Sequence, residues 1–226
     1  MNGLLRCAKY AFAPNKLKYC GPDKNQEISA YLTNKASDQG LKELLDDFLG
    51  MYPYLKLISR ENGISDPFDE RVVEAYWLGN ELLEAVSWKS FYQQVEKKLA
   101  PKELRWFELK LASGVKPNHS FHVFNFLTRT GHRAIPHTVE TMDNCRISAG
   151  RIVAPGKVKT DKLVCQNGKL KLTPAIKKFH NLVDGFKTGD LVTFHWGWVC
   201  EKINRQQAKN LEKYTNLALR LANLTI

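Results

Sequence analysis

The run Cys145-Arg-Ile-Ser-Ala-Gly-Arg-Ile-Val153 opens the part of the chain that decides the fold. Lys162-Leu-Val-Cys165, Lys169-Leu-Lys-Leu-Thr173 and Gly189-Asp-Leu-Val-Thr-Phe-His-Trp-Gly-Trp198 follow it. Short stretches of aliphatic and β-branched residues bounded by Gly, Pro and Asn read as strands. Asn167-Gly168 lies between two of them and predicts a tight hairpin, because both turn positions want positive φ. The longest strand is expected over Leu191–Ile203, where alternation puts Phe194, Trp196 and Trp198 on one face and His195 on the other. A short helix is expected over Ile176–Val183. Ala208, Leu211, Tyr214, Thr215, Ala218, Leu221 and Ala222 recur at three and four and predict a closing amphipathic helix. Residues 145–226 therefore read as a small OB-like β-barrel with a C-terminal helix.

Outward from this segment the pattern changes. Residues 1–112 read as a helical domain. An apolar stripe of Leu4, Leu5, Ala8 and Phe12 ends at Pro14, and Leu41, Leu44, Leu45, Phe48 and Leu49 form another that Pro53 interrupts. Asp66-Pro-Phe-Asp-Glu70 resembles a helix start with Asp66 as cap, and Gly79-Asn80 a stop. Two more helices are expected around Trp88–Leu99 and Pro101–Ala112. Residues 113–144 read as a connection, with a strand over Ser120–Arg129 and a short helix over Thr138–Asn144. The fold class is α+β.

Charge divides along the same line. Residues 1–145 hold 19 Lys and Arg against 18 Asp and Glu, whereas residues 146–226 hold 15 against 5. Nearly all of the net charge of +11 thus resides in the second part, which suits an acidic protein partner or nucleic acid. No apolar run approaches the roughly 18 residues of a membrane span, so a cytoplasmic protein without a membrane partner is expected. The five cysteines are scattered, with no Cys-x-x-Cys pair. This argues for free thiols rather than a disulfide framework or zinc finger.

No phosphate-binding loop, His-Glu-x-x-His or nucleophile elbow is present, which disfavours conventional nucleotide enzymes and hydrolases. His119 and His122 are three apart; they would share a helical face but diverge on the expected strand.

The order of Cys145, Gly150, the valine strand, Gly189-Asp190 and the strand bearing His195 and Gly197 is similar to that of the HypC/HupF hydrogenase-assembly chaperones. The likeness covers about 80 residues at the C-terminal end. It implies a non-enzymatic assembly factor for a nickel–iron hydrogenase, carrying an iron fragment with cyanide and carbonyl ligands. Its partners would be a maturation scaffold or the hydrogenase large subunit. By this resemblance Cys145 would be the iron-ligand thiolate, with His195 near it and Arg146 lowering the thiol pKa. The family's cysteine follows the initiator Met, whereas Cys145 is internal, and Ala149-Gly150 replaces the family's Pro-Gly. The whole chain also resembles an uncharacterised prokaryotic family through Tyr19–Asp23, Val72–Asn80, His119–Phe124 and His195–Cys200. His119, His122, Cys20 and Cys200 are further candidate ligands. Two alternatives stay open. One is nucleic-acid binding by the basic barrel through Phe194, Trp196 and Trp198. The other is nucleophilic chemistry by Cys145 with His122 or His195 as base.

Overall fold

The computed structural model describes residues 2–126, 135–182 and 185–226. The first helix, α1 (Gly3–Lys16), starts where the Asn2 side chain accepts from the backbone of Leu4 and Leu5. It passes through Pro14 rather than ending there. α2 (Asn25–Asn34) and α3 (Gln39–Asp46) follow, and Asp38 caps the latter. Pro53 initiates α4 (Tyr52–Glu61), since proline is tolerated in a first turn that needs no donor.

α5 (Glu70–Trp77) is capped by Asp69, not by the expected Asp66. The Asp66 carboxylate instead accepts from Phe68 N at 3.0 Å, which spends it on the turn before the helix. Gly79, at φ 85, ends this segment as anticipated, and the Tyr214 ring fills the space where a Cβ would stand. α6 (Leu82–Ala85), α7 (Trp88–Val95) and α8 (Pro101–Leu111) complete the first part.

The expected strand from Ser120 is instead a helix, α9 (His119–Asn125). Asn118 precedes it and its side chain accepts from Phe121 N at 2.9 Å, so a local cap outweighs the β preference of the aromatic residues. Residues 127–129 of that expectation lie outside the described residues. α10 (Val139–Cys145) lies where the sequence suggests a short helix, with Thr138 as its cap.

Among the described residues five strands follow: β1 (Ser148–Ala154), β2 (Lys157–Gln166), β3 (Lys169–Lys178), β4 (Leu191–His195) and β5 (Trp198–Lys202). They form one antiparallel sheet in the order β3-β2-β1-β4-β5. The hairpin turn at Asn167-Gly168 has the expected positive φ values, 52 and 70. Two expectations are corrected. The helix over 176–183 is absent at its start, where β3 continues to Lys178; Val183 lies outside the described residues. The long strand over 191–203 is a hairpin, because Trp196 (φ 51) and Gly197 (φ 77) form a tight turn of left-handed residues.

Just beyond β3, His180 makes a parallel bridge to Trp198 in β5: its N–H donates to Gly197 O at 2.7 Å, and Val199 N donates back at 2.9 Å. β2 changes its buried side midway. Val158 joins Ile152, Phe179, Val192, Phe194 and Val199 in a small cluster within the sheet. Leu163, with Leu170 of β3, joins the main core shared with the helices. The chain ends in α11 (Arg205–Ala222), which buries Leu211, Tyr214, Ala218, Leu221 and Ala222 as its periodicity requires. Among the described residues no helix is long and apolar enough to cross a membrane.

Helical part and sheet are locked together by polar groups. Arg6 of α1 donates to Glu201 of β5 at 2.9 Å and to Glu74 of α5 at 2.7 Å. Tyr10 OH lies 2.7 Å from Glu201 and 2.9 Å from Thr193. On the opposite side Glu84 gathers Lys116 (2.7 Å), Lys213 (2.9 Å) and Tyr214 OH (2.9 Å), tying α6 to α11.

The bond from Lys116, with those from Lys213 and Tyr214, outweighs burial and holds the Glu84 carboxyl down at about 2 against an ordinary 4.5. A depressed folded-state value stabilises the fold above the unfolded pKa and loses that contribution as pH falls through the folded one. Glu84→Gln is therefore expected to flatten the decline of stability between pH 4.5 and 2, measured by urea unfolding across that range. An unchanged acid limb would contradict this role.

Candidate metal centre

Three element ends converge beneath α1. His119 opens α9, Cys145 closes α10 and His195 closes β4. Their relative exposures are 6%, 3% and 1%. One ligand atom from each, two imidazole nitrogens and the Cys145 Sγ, lies within 4.8 Å of the others. The structure thus brings together Cys145 and His195, and adds His119 of the further candidates.

Hydrogen bonds orient both rings. His119 Nε2 is 2.8 Å from the Cys145 carbonyl. A carbonyl only accepts, so Nε2 carries the proton and the lone pair of the neutral ring sits on Nδ1, 3.3 Å from Tyr76 OH. His195 Nδ1 is 2.7 Å from the Tyr10 carbonyl, which places its proton on Nδ1 and directs Nε2 inward.

That carbonyl is open to His195 for a covalent reason. In a regular helix Tyr10 O would accept from the N–H four residues on, and the residue there is Pro14, which has none. An imidazole held by a backbone carbonyl at one nitrogen and presenting the other is the usual arrangement of a metal-ligating histidine. Aromatic rings wall the site: Trp77 lies 4.7 Å from the His119 ring and 5.8 Å from the His195 ring, and stacks on Tyr10 at 5.1 Å.

The cavity here is about 40 Å³, and Cys20 and His122 also line it. A water needs on the order of 10–15 Å³ of such space, so this space has the size of an ion or a few small ligands. Cys20 is half-buried in the turn after α1, with its carbonyl held by the Asn15 amide at 3.0 Å. His122 Nδ1 is 3.1 Å from Tyr54 OH.

Cys200 is elsewhere. It is buried on β5, its thiol 3.7 Å from the Trp198 carbonyl, and burial together with Glu201 pushes that thiol well above its ordinary pKa. Arg146 was expected to act on the Cys145 thiol. Its guanidinium instead bonds Asp143 at 3.0 Å and the Asp161 carbonyl at 2.6 Å.

The expected aromatic row does not exist, because the turn at Trp196-Gly197 breaks the alternation. Phe194 is in the sheet's small core. Trp196 packs on Tyr19 at 4.7 Å, and Trp198 meets Phe12 edge-on at 5.3 Å.

Tyr76, Trp77 and the Tyr10 carbonyl escaped the sequence reading. Pro14, four residues after Tyr10 inside an apolar helix, was the available signal for the last.

The chain belongs to a family of unknown function (DUF6390), which matches it over residues 1–226. No curated protein and no solved structure matches the chain.

The burial pattern sets thiol reactivity. Cys165 is exposed, Cys20 half-buried, and Cys7, Cys145 and Cys200 buried, with burial raising the Cys7 thiol to about 12. Alkylation of the native protein followed by peptide mass spectrometry is expected to label Cys165 first, then Cys20, and the other three only on unfolding. Rapid labelling of Cys145 in the folded protein would show that the site is open.

Proposed function

For a member of a family without an assigned activity the chemistry of the site leads, and we propose that this protein is a metal-binding assembly factor for a metalloenzyme. Cys145, His119 and His195 hold the ion. The carrying observation is the convergence of one thiol and two oriented imidazoles within 4.8 Å. A soft thiolate with two imidazoles suits iron, copper or zinc. Ligand atoms around a tetrahedral ion stand about 3.5 Å apart, from bonds of about 2.0–2.3 Å, so small side-chain rotations fit the cluster to the ion. Cys20 and His122, on the wall of the same cavity, are the protein groups available for a fourth ligand.

The chain's own residues supply orientation and shelter. Tyr10 O and Cys145 O orient the two imidazoles, Tyr76 OH gives up its contact with His119 Nδ1 to the ion and keeps its bond to Gly50 O, and Trp77 walls the site. Bound there, the metal supplies a Lewis-acidic centre with thiolate character. The resemblance to the HypC/HupF chaperones supports nickel–iron hydrogenase as the target, with an iron fragment as cargo and a maturation scaffold or large subunit as partner. The bridge from His180 to Trp198 supports reading the sheet as an OB-like barrel. Cys145 is buried where those chaperones expose a mobile terminal thiol, so release requires α9 or the Cys20 turn to open. Five free cysteines accord with a reducing, cytoplasmic setting. Arg151, Lys157, Lys159 and Lys178 are exposed on the sheet and suit an acidic partner protein.

Anaerobic titration with Co(II) and Fe(II), with metal content measured after gel filtration, tests the site. One ion per chain is expected, with a thiolate-to-cobalt absorption band that falls in Cys145→Ala. His119→Ala and His195→Ala should each weaken binding by at least about 10–100-fold, the loss typical of even an outer-shell change. Undiminished binding in Cys145→Ala, or none in the wild type, overturns the proposal. Infrared spectra after co-expression with hydrogenase maturation proteins test the cargo. Cyanide and carbonyl bands are expected, and their absence rules out iron-fragment carriage.

A further inference from the structure

β3 is one edge of the sheet, and the direction of its outward backbone groups follows from one observed pair. Leu170 N donates to the Asn223 side-chain carbonyl at 2.8 Å, and the Asn223 amide donates to Leu170 O at 2.9 Å. Both groups of Leu170 thus point away from β2, and Asn223 stands where a residue of a further strand would. In an antiparallel ladder a residue sends its N–H and C=O to the same side, and the side alternates along the strand. The register with β2 runs unbroken from Lys169 to Lys178, so Leu172, Pro174, Ile176 and Lys178 also face outward. Among the described residues no backbone partner takes up the outward groups of Leu172 or Ile176. Pro174 holds an outward position, where its missing N–H costs no bond to β2.

The side chains along this edge are exposed at Pro174, Ile176 and Lys178. Ile176 lies across from Lys159, itself across from Arg151, and Lys178 lies across from Lys157. Among the described residues Lys157, Lys159 and Lys178 make no ion pair. Asp161, across from Pro174, confines the basic row to the Ile176–Lys178 end. Like charges directly opposite one another repel. A second copy of this edge would add lysines to lysines, whereas carboxylates on an incoming strand relieve the repulsion. We propose that the edge of β3 from Leu172 to Lys178 takes an extended acidic segment of a partner protein as an added strand. Its backbone bonds Leu172 and Ile176 as the Asn223 amide bonds Leu170. An apolar side chain lies beside Ile176, and a carboxylate two residues away lies beside Lys178 and Lys157. The inference rests on the basic sheet being a surface for an acidic protein and is independent of metal binding.

The isotope-labelled full chain is titrated by NMR with the capped peptide Glu-Thr-Val-Thr-Glu, which presents its carboxylate and apolar residue in either strand direction. One control peptide replaces both Glu by Lys. Another carries N-methyl groups on Val and both Glu, removing the donors that face β3, and a single-stranded oligonucleotide completes the set. The acidic peptide is expected to bind saturably, at least about 5-fold tighter than either control peptide, and to slow exchange of the Ile176 amide proton. Ile176→Pro removes an outward N–H without touching the bonds to β2. It should weaken binding at least about 5-fold while circular dichroism stays native. Lys157→Glu/Lys178→Glu should turn the preference toward the lysine peptide. Equal binding of the N-methylated peptide overturns strand addition and leaves the acidic partner standing; equal binding of the lysine peptide overturns both. No saturable binding of the acidic peptide, an unaltered preference in the double variant, or tighter binding of the oligonucleotide at the same residues also overturns the proposal.

Discussion

The buried pair of Arg6 and Glu201 is the constraint from which the rest of the arrangement follows. The two residues are 195 apart in sequence and their side chains are each only 3% exposed. Taking such charges out of water costs several kcal/mol per ion, and removing one partner from a buried pair typically costs about 3–5 kcal/mol. Further hydrogen bonds to the pair offset part of that cost. Glu74 takes a second Arg6 nitrogen and an amide proton of Gln207 at 2.6 Å, and Tyr10 donates to Glu201. Four elements, α1, α5, β5 and α11, are thereby fixed in relation to one another. Tyr10 is one helical turn beyond Arg6 and Pro14 one turn beyond that, so the pair also sets the register in which α1 meets His195.

How much of this was legible depended on the range of the determining interaction. Asn167-Gly168 identifies its own hairpin because the turn's φ requirement is local. The spacing of α11 is local as well, and that helix lies where the sequence places it. The error at Ser120–Asn125 came from weighing aromatic β preference above a single capping side chain, Asn118. That error hid the helix end on which His119 is presented. The Trp196-Gly197 turn was masked because a non-glycine residue occupies its first left-handed position. Trp196 reaches that conformation with its ring against Tyr19 and its N–H bonded to Asn144 O at 2.8 Å. Cys145 and His195 were singled out by motif order, but their meeting with His119 depends on three separate element ends, which no local pattern encodes.

The charge asymmetry also acquires a physical place. β1, β2 and β3 carry Arg151 opposite Lys159, and Lys157 opposite Lys178, on exposed sheet surface. Ile176 stands among them, 66% exposed, directly across from Lys159. The basic residues are thus on exposed sheet surface, whereas His119, Cys145 and His195 are buried.

Pro14 has a consequence that reaches into the geometry of the cluster. Because it contributes no N–H, the Tyr10 carbonyl holds one ring proton of His195 away from the centre; Cys145 O does the same for His119. The direction in which two imidazoles aim at the space they share with Cys145 is thus set by backbone carbonyls, and at His195 by an imino acid whose own side chain makes no hydrogen bond.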